Sequence, residues 1–250
     1  MSWFKKLLGR NGTPVQPPVE RVVPIATVQI PPPEGPVRLY QDQVLRKAWA
    51  EDLLTRQGVP VNRHLPCIEG QAEVTVRTAQ DIADRLRALV IVAVKGGGLE
   101  QDEVQAVVDE WGIRALLSPR ELAFIDDPAP SDRDRIQFSW RYEAAWVLFW
   151  ALNFTGEPLA FPGQPCDVAN LVAAVRDTPD LTSRGAQSAN NMLNEADLIY
   201  RYHWAVRQAS IDGLPPPAGL DPGVVMERHH ALNWLIGYDG AEWDEVGTDT

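Results

Sequence analysis

Four ionisable residues lie where helical spacing predicts buried side chains: Glu143, His203, Arg207 and Arg228. They come from three segments in which apolar residues recur with the period of a helix, 140–154, 190–210 and 222–238. A buried charge is costly unless it is paired and hydrogen-bonded. We therefore predict that the Glu143 carboxylate accepts hydrogen bonds from Arg228 or Arg207, preferably in a bidentate arrangement, with His203 beside them.

A carboxylate, an imidazole and two guanidinium groups could serve structure or chemistry. They could fix the packing of three long helices, bind a small anion or carry out general acid and base catalysis. The sequence near His203 supplies no nucleophile, which disfavours a hydrolase. A closed network would favour architecture, whereas an open pocket would favour ligand binding. Asp197 and Arg201 project to the opposite side of their helix, where we expect an ordinary exposed pair.

Metal and cofactor chemistry have little support in the sequence. His229 and His230 are adjacent, so on a helix they diverge by about 100° and cannot share a metal. His64 and Cys67 lack a second pair of ligands at matching spacing. We predict no metal site and no cofactor, and the net charge of −11 with a pI near 4.8 argues against nucleic acid as a partner.

The N-terminal segments differ in composition from the rest of the chain. Residues 1–10 carry a charge of +3 while the remainder carries −14, and their apolar side chains are Trp3, Phe4, Leu7 and Leu8. Such a basic amphipathic segment could make weak peripheral contact with a membrane surface or dock on a protein partner. Residues 11–36 are rich in proline, which predicts a disordered tether.

Residues 37–238 predict a mainly α, single multi-helix domain. The sequence SPRE from Ser118 and the sequence TAQD from Thr78 are helix-capping boxes. Only residues 72–78 alternate as a strand does, so we expect at most a small β element there, near 72–77. Residues 239–250 form an acidic tail that we expect to be solvated. Four stripes should each bury one helix face: Tyr40, Val44 and Ala48; Ile82, Leu86, Leu89 and Ala93; Val104, Val107, Val108 and Trp111; Val168, Leu171, Val172 and Val175.

Composition indicates a cytoplasmic protein. Only two cysteines are present, there is no secretory signal pattern, and no apolar run approaches the roughly 20 residues of a membrane-spanning helix. If residues 1–10 bind lipid, the protein would be peripheral to the inner membrane.

Several blocks of residues 45–238 resemble, in order, a bacterial family catalogued as domain of unknown function 4272. The blocks are LTRQGVPVNRHLP, TAQDIADRLRAL, LSPRELAFI, WRYEAAWVLFWAL, PCDV, EADLIYRYHWAVRQA and DPGVVMERHHALNWLIGY. The most specific of them contain YRYHWA and RHHALNWL, where the family shows its tyrosine, arginine, histidine and tryptophan signature. The resemblance implies a mostly helical cytoplasmic protein and brings no established activity, substrate or catalytic residue.

Two functions remain open from the sequence. The first is a non-enzymatic protein that binds another protein, with residues 1–10 as a docking or membrane-surface element. The second is an enzyme or small-anion binder that uses Glu143, His203, Arg207 and Arg228.

Overall fold

The computed structural model describes residues 40–250, which fold into packed α-helices joined by loops and short 3-10 turns. The α-helices are α1 (Gln41–Gln57), α2 (Ala79–Gly96), α3 (Gln101–Trp111), α4 (Pro119–Asp126), α5 (Asp132–Ser139), α6 (Arg141–Ala151), α7 (Val168–Asp177), α8 (Ala189–Ile211) and α9 (Pro222–Ile236). No strand occurs in this part of the chain, so the mainly α prediction is confirmed.

The helices pack in a continuous series. Helix α1 lies on α8, α8 on α9, α9 on α6 and α6 on α2, while α3, α4 and α5 surround the other side of α2. Helices α6 and α9 are therefore buried on nearly all sides, as the mostly apolar sequence of 140–154 predicts for α6. With eleven residues, α6 is shorter than that segment and is not among the longest helices.

Helix starts follow the local capping chemistry. Ser118 and Thr78 each accept a hydrogen bond from the backbone N–H three residues later, and Glu121 and Asp81 complete the reciprocal boxes. Asp221 caps α9, whose first residue is Pro222. The sequence therefore predicts these boundaries correctly.

The expected inward stripe of α1 is wrong. Tyr40 is 40% exposed and Val44 49% exposed, and Ala48 is exposed as well. The buried side is formed by Gln43, Arg46, Ala50 and Leu54. Polar groups occupy it because the loop after α1 presents backbone carbonyls there. The other three predicted stripes face the core, with Trp111 and Val168 half-buried at their ends.

The candidate strand at residues 72–78 has no partner strand in the described chain. Residues 74–78 run extended beside the end of α9, where the Arg77 N–H donates to Leu235 O at 2.9 Å. The Arg77 side chain also donates to Trp234 O and Ala241 O. The alternating pattern thus marks an extended segment held by a helix C-terminus, and the fold remains α.

The prediction that residues 239–250 are solvated is wrong for the centre of this segment. Trp243 is only 3% exposed, and its ring packs on Trp234 and on His230. The Asp244 carboxylate accepts from Ser118 Oγ at 2.7 Å and from the Arg120 N–H at 3.0 Å. This acidic segment therefore caps α4 and covers one side of α9.

The predicted amphipathic segment 1–10 and the tether 11–36 lie outside the described residues. Within residues 40–250, no helix is long and apolar enough to cross a membrane.

Candidate functional site

Glu143 of α6 and Arg228 of α9 form a buried ion pair, as their positions predict. Arg228 Nε donates to Glu143 Oε2 at 3.1 Å, and each side chain is 3% exposed. The contact is not bidentate, because the second carboxylate oxygen accepts from the Cys166 backbone N–H. Arg228 Nη1 donates instead to Ala160 O at 2.8 Å. The pair therefore fixes the α6–α7 connection, residues 152–167, against α9.

His203 has a different partner from the one expected. Its Nδ1 lies 2.8 Å from Nδ1 of His229, so one ring must donate to the other. His229 is 2% exposed, so its ring lies in the core beside His203. Burial, with the charge of Arg207 as a second cause, lowers the pKa of His203 to about 4. Burial first, and then His203 and His230, hold the pKa of His229 well below its usual range. Both imidazoles are therefore neutral at pH 7.

Arg207 joins neither pair. It is half-buried and makes no hydrogen bond or salt bridge with any residue in 40–250. The four predicted residues therefore form an ion pair, a histidine pair and a separate arginine. They do not form the single network that helical projection predicts.

The Asp197–Arg201 pair is buried, contrary to expectation. Arg201 Nε and Nη2 donate to the two Asp197 oxygens at 2.8 Å each, and both residues are 1% exposed. Helix α8 lies between α9 and α1, so its second side is covered by α1 and by residues 63–69. Side chains from α1 and α8 bind the carbonyls of that loop: Lys47 to Arg63 and Leu65, Arg201 to Pro66, Gln43 to Ile68 and Arg46 to Glu69.

A second group of buried charges surrounds Trp243. Arg85 of α2 pairs with Glu121, and Arg141 of α6 pairs with Glu227 of α9 at 2.9 Å. The two guanidinium carbons lie 5.2 and 5.8 Å from the Trp243 ring centroid. Sequence reasoning does not predict this group, because the acidic composition of 239–250 indicates a solvated tail.

A pocket of about 120 Å³ opens between α1, α8, α9 and residues 158–162. A pocket of this volume can hold several heavy atoms, because a cavity of roughly 10–15 Å³ is enough for one water. The lining residues are Trp49, Leu53, Gln57, Pro158, Leu159, Ala160, Phe161, Pro162, Glu195, Leu198, Ile199, Tyr202, Arg228 and Leu232. The wall is thus mostly apolar, with a few polar groups, as ligand pockets usually are.

The polar groups of the pocket differ in how they are bonded. Tyr202 donates its hydroxyl to Gln57 Oε1, which joins α8 to α1, and burial raises the pKa of Tyr202 to about 12. Arg228 donates through Nε to Glu143 and through Nη1 to Ala160 O, whereas its Nη2 has no hydrogen-bond partner among the described residues. Glu195 is half-buried and makes no hydrogen bond or salt bridge within residues 40–250.

Glu195 titrates in the physiological range. Burial raises its pKa from 4.5 to about 7, and the positive charge of Arg228 opposes that rise. Projection of α8 onto one apolar face missed Glu195, because the helix buries two sides. The available signal was its spacing of three, four and seven residues from Leu198, Ile199 and Tyr202, which all line the pocket.

Other reactive groups lie outside the pocket. Cys67 and Cys166 are free, and burial raises the pKa of both thiols. Among residues 40–250, no group of three or more His, Cys, Asp and Glu side chains is arranged to hold a metal ion.

Comparisons with known proteins give a family and nothing more specific. The model of the family described as "Domain of unknown function (DUF4272)" matches residues 46–246. The match includes the buried Trp243 segment as well as α2–α9. No curated protein and no solved structure matches the chain.

Proposed function

This chain belongs to the DUF4272 family, and we propose that it is a small-molecule-binding protein whose site is the pocket between α1, α8 and α9. One observation carries the proposal: two opposite charged groups, Glu195 and Arg228, line this pocket with polar atoms that no residue in 40–250 satisfies. Polar atoms that line a mostly apolar pocket and have no protein partner are available to a ligand, and a few such groups in an apolar wall are typical of binding sites.

The same pocket favours binding over catalysis. Among residues 40–250, those that line the pocket include no Ser, Thr, Cys, Lys or His. Apart from carboxylates, these are the usual nucleophiles and proton carriers of enzymes. His203 and His229 bond to each other, and the Cys166 thiol is protonated at pH 7. We therefore propose a non-enzymatic role in the cytoplasm, the compartment that two free cysteines favour.

The test uses simple probes and a variant that fills the pocket. Pentanol, pentanoate, pentylamine and L-norvaline share a short apolar chain and differ in charge. We expect at least one of them to shift backbone amide resonances of pocket residues in the full chain. Leu198→Trp should abolish those shifts, because Leu198 lines the pocket and is 7% exposed. Leu214→Trp, at a 61% exposed position, is the matched control. If no probe shifts pocket residues, the proposal is wrong.

Protein interaction through the outer face of α1 is a second candidate function. Four large apolar residues are exposed there: Tyr40 40%, Val44 49%, Leu45 61% and Trp49 42%. The partner chemistry we propose is an apolar segment with basic residues, since residues 40–250 are strongly acidic. Residues 1–10 of the chain have this chemistry.

A labelled peptide of residues 1–10 provides the probe. It should bind the full chain by fluorescence anisotropy, and Leu45→Glu should weaken that binding. Equal binding to the parent and to Leu45→Glu would exclude α1 as the docking face. Vesicle binding by the same peptide, weakened by salt, would test the membrane-surface alternative.

A further inference from the structure

We propose that the pocket binds a zwitterionic α-amino acid with a short apolar side chain, with the ammonium group at Glu195 and the carboxylate at Arg228. This inference rests on the proposed function, because it assigns a ligand class to the same pocket. It follows from the positions of the two charges, the bonding of Arg228 and the character of the remaining wall.

The two charged groups face one space from different helices. Glu195 belongs to α8 and Arg228 to α9, and both line the pocket. Arg228 is close enough for its charge to lower the pKa of Glu195, yet no salt bridge joins these two described residues. Opposite charges within about 4–6 Å act on each other strongly. Because no salt bridge joins them, the Glu195 carboxylate and the Arg228 guanidinium lie more than 4.0 Å apart, and a ligand with both charges can bind between them in the pocket that both line.

Contacts within the protein fix the Arg228 guanidinium where it can bind an anion. Glu143 and Ala160 fix the guanidinium through Nε and Nη1, and the side chain is 3% exposed. Its Nη2 remains as a donor for a carboxylate, and charge-assisted bonds of this kind are the stronger ones. Because the protein already fixes this guanidinium, a ligand does not have to order it.

The rest of the wall suits an alkyl chain and a cation. Leu53, Leu198 and Leu232 supply apolar surface, and Trp49 and Phe161 are partly exposed at 42% and 36%. Aromatic faces attract ammonium groups. A volume of about 120 Å³ accommodates a short side chain and is too small for a nucleotide.

Singly charged ligands satisfy only half of this arrangement. A simple carboxylate would reach Arg228 but would bring a second negative charge near Glu195. A simple amine would pair with Glu195 but would be repelled by Arg228. A zwitterion supplies a carboxylate for the remaining Nη2 donor of Arg228 and an ammonium group for Glu195 at the same time, so both groups gain a partner.

The test is calorimetric titration of the full chain with L-norvaline and with analogues that each lack one charge. Pentanoate and N-acetyl-L-norvaline lack the ammonium group, whereas pentylamine and L-norvaline amide lack the carboxylate. We expect L-norvaline to bind at least about tenfold more tightly than any of the four, because each lost charge removes one compensated pair.

Variation of Glu195 separates the role of the charge from the role of shape. Glu195→Gln should weaken L-norvaline about tenfold and leave pentanoate equal or tighter. Affinity for L-norvaline should rise between about pH 5.5 and pH 8 in the parent as Glu195 ionises, and this rise should be reduced in Glu195→Gln. Thermal unfolding of Glu195→Gln shows that the variant is folded.

The outcomes of these titrations answer two separate questions: whether the pocket binds a ligand, and whether that ligand must be a zwitterion. If pentanol or pentanoate binds as well as L-norvaline, and Leu198→Trp abolishes that binding, the zwitterion assignment is overturned and the proposed function stands. If none of these probes binds, both are overturned.

Discussion

Glu195 and Asp197 lie two residues apart on α8 and have opposite surroundings. Asp197 is 1% exposed, and two hydrogen bonds from Arg201 satisfy its carboxylate. Glu195 is half-buried beside a pocket and has no partner among the described residues. One helix therefore carries a buried acid that has a partner and a half-buried acid that has none, and the two face different neighbours.

The difference separates architecture from a candidate site. Arg201 satisfies both oxygens of Asp197 and holds residues 63–69 through Pro66 O. Glu195 gains nothing from its protein surroundings except the charge of Arg228, with which it forms no salt bridge, so folding keeps it at a cost to stability. Proteins often retain such costs where they bind ligands.

The largest expected effect comes from breaking the satisfied pair. Arg201→Met leaves Asp197 buried without its partner, so the free energy of unfolding should fall by about 3–5 kcal/mol. Urea denaturation measures this change. The double variant Asp197→Leu/Arg201→Met should recover part of the loss, since no unpaired charge remains. A loss below about 1 kcal/mol in Arg201→Met would show that the pair contributes little.

Glu195→Gln should have the opposite sign and depend on pH. The pKa of Glu195 is about 7 in the folded protein against 4.5 ordinarily, so the ionised form is disfavoured by folding. The stability cost is absent below the ordinary pKa, grows between about pH 4.5 and pH 7, and is fully present above the folded pKa. Glu195→Gln should therefore stabilise the protein by on the order of 2 kcal/mol at about pH 8 and change little near pH 4.

Urea denaturation at both pH values tests this prediction. Glu110→Gln, at an exposed position on α3, is the matched control and should give no such difference. A destabilising Glu195→Gln at pH 8 would show that Glu195 has a structural partner after all.

The smallest effect is expected at an exposed ion pair on α1. Arg56 and Asp52 of α1 lie 2.9 Å apart but are 61% and 67% exposed. Asp52→Asn should change the free energy of unfolding by no more than about 0.5 kcal/mol, because water screens both charges. If Asp52→Asn lowers the free energy of unfolding as much as Arg201→Met does, burial does not explain why the two pairs differ.

Helical periodicity predicts much of the fold and part of the polar core. Helical periodicity correctly predicts which faces of α2, α3 and α7 are buried and that Glu143 contacts Arg228. The capping boxes, a separate local signal, correctly predict where α2 and α4 begin. Periodicity places Glu143 and Arg228 on facing helices, because a central Arg and a central Glu in apolar surroundings require each other. It does not predict the bidentate geometry correctly, since the competing Cys166 N–H comes from a loop with no periodic signal.

The errors share a physical origin. Projection identifies one apolar side of a helix, whereas α8 is covered on two sides and buries a charged pair on the second. On α1 the buried side is polar because it binds loop carbonyls, so the apolar stripe faces outward. The charge of residues 239–250 predicts exposure to solvent, but Asp244 caps a helix and Trp243 lies in the core.

The contact of Trp243 and Asp244 with α4 and α9 has a consequence for synthesis on the ribosome. Domains fold as the chain emerges, beginning from the N-terminal side. Ser118, Arg85 and Arg141 are made more than a hundred residues before the segment that covers them, so their surfaces stay open until residues 243–246 have been translated. Until that segment has joined the domain, the surfaces of Arg85, Ser118 and Arg141 remain open to chaperones and proteases.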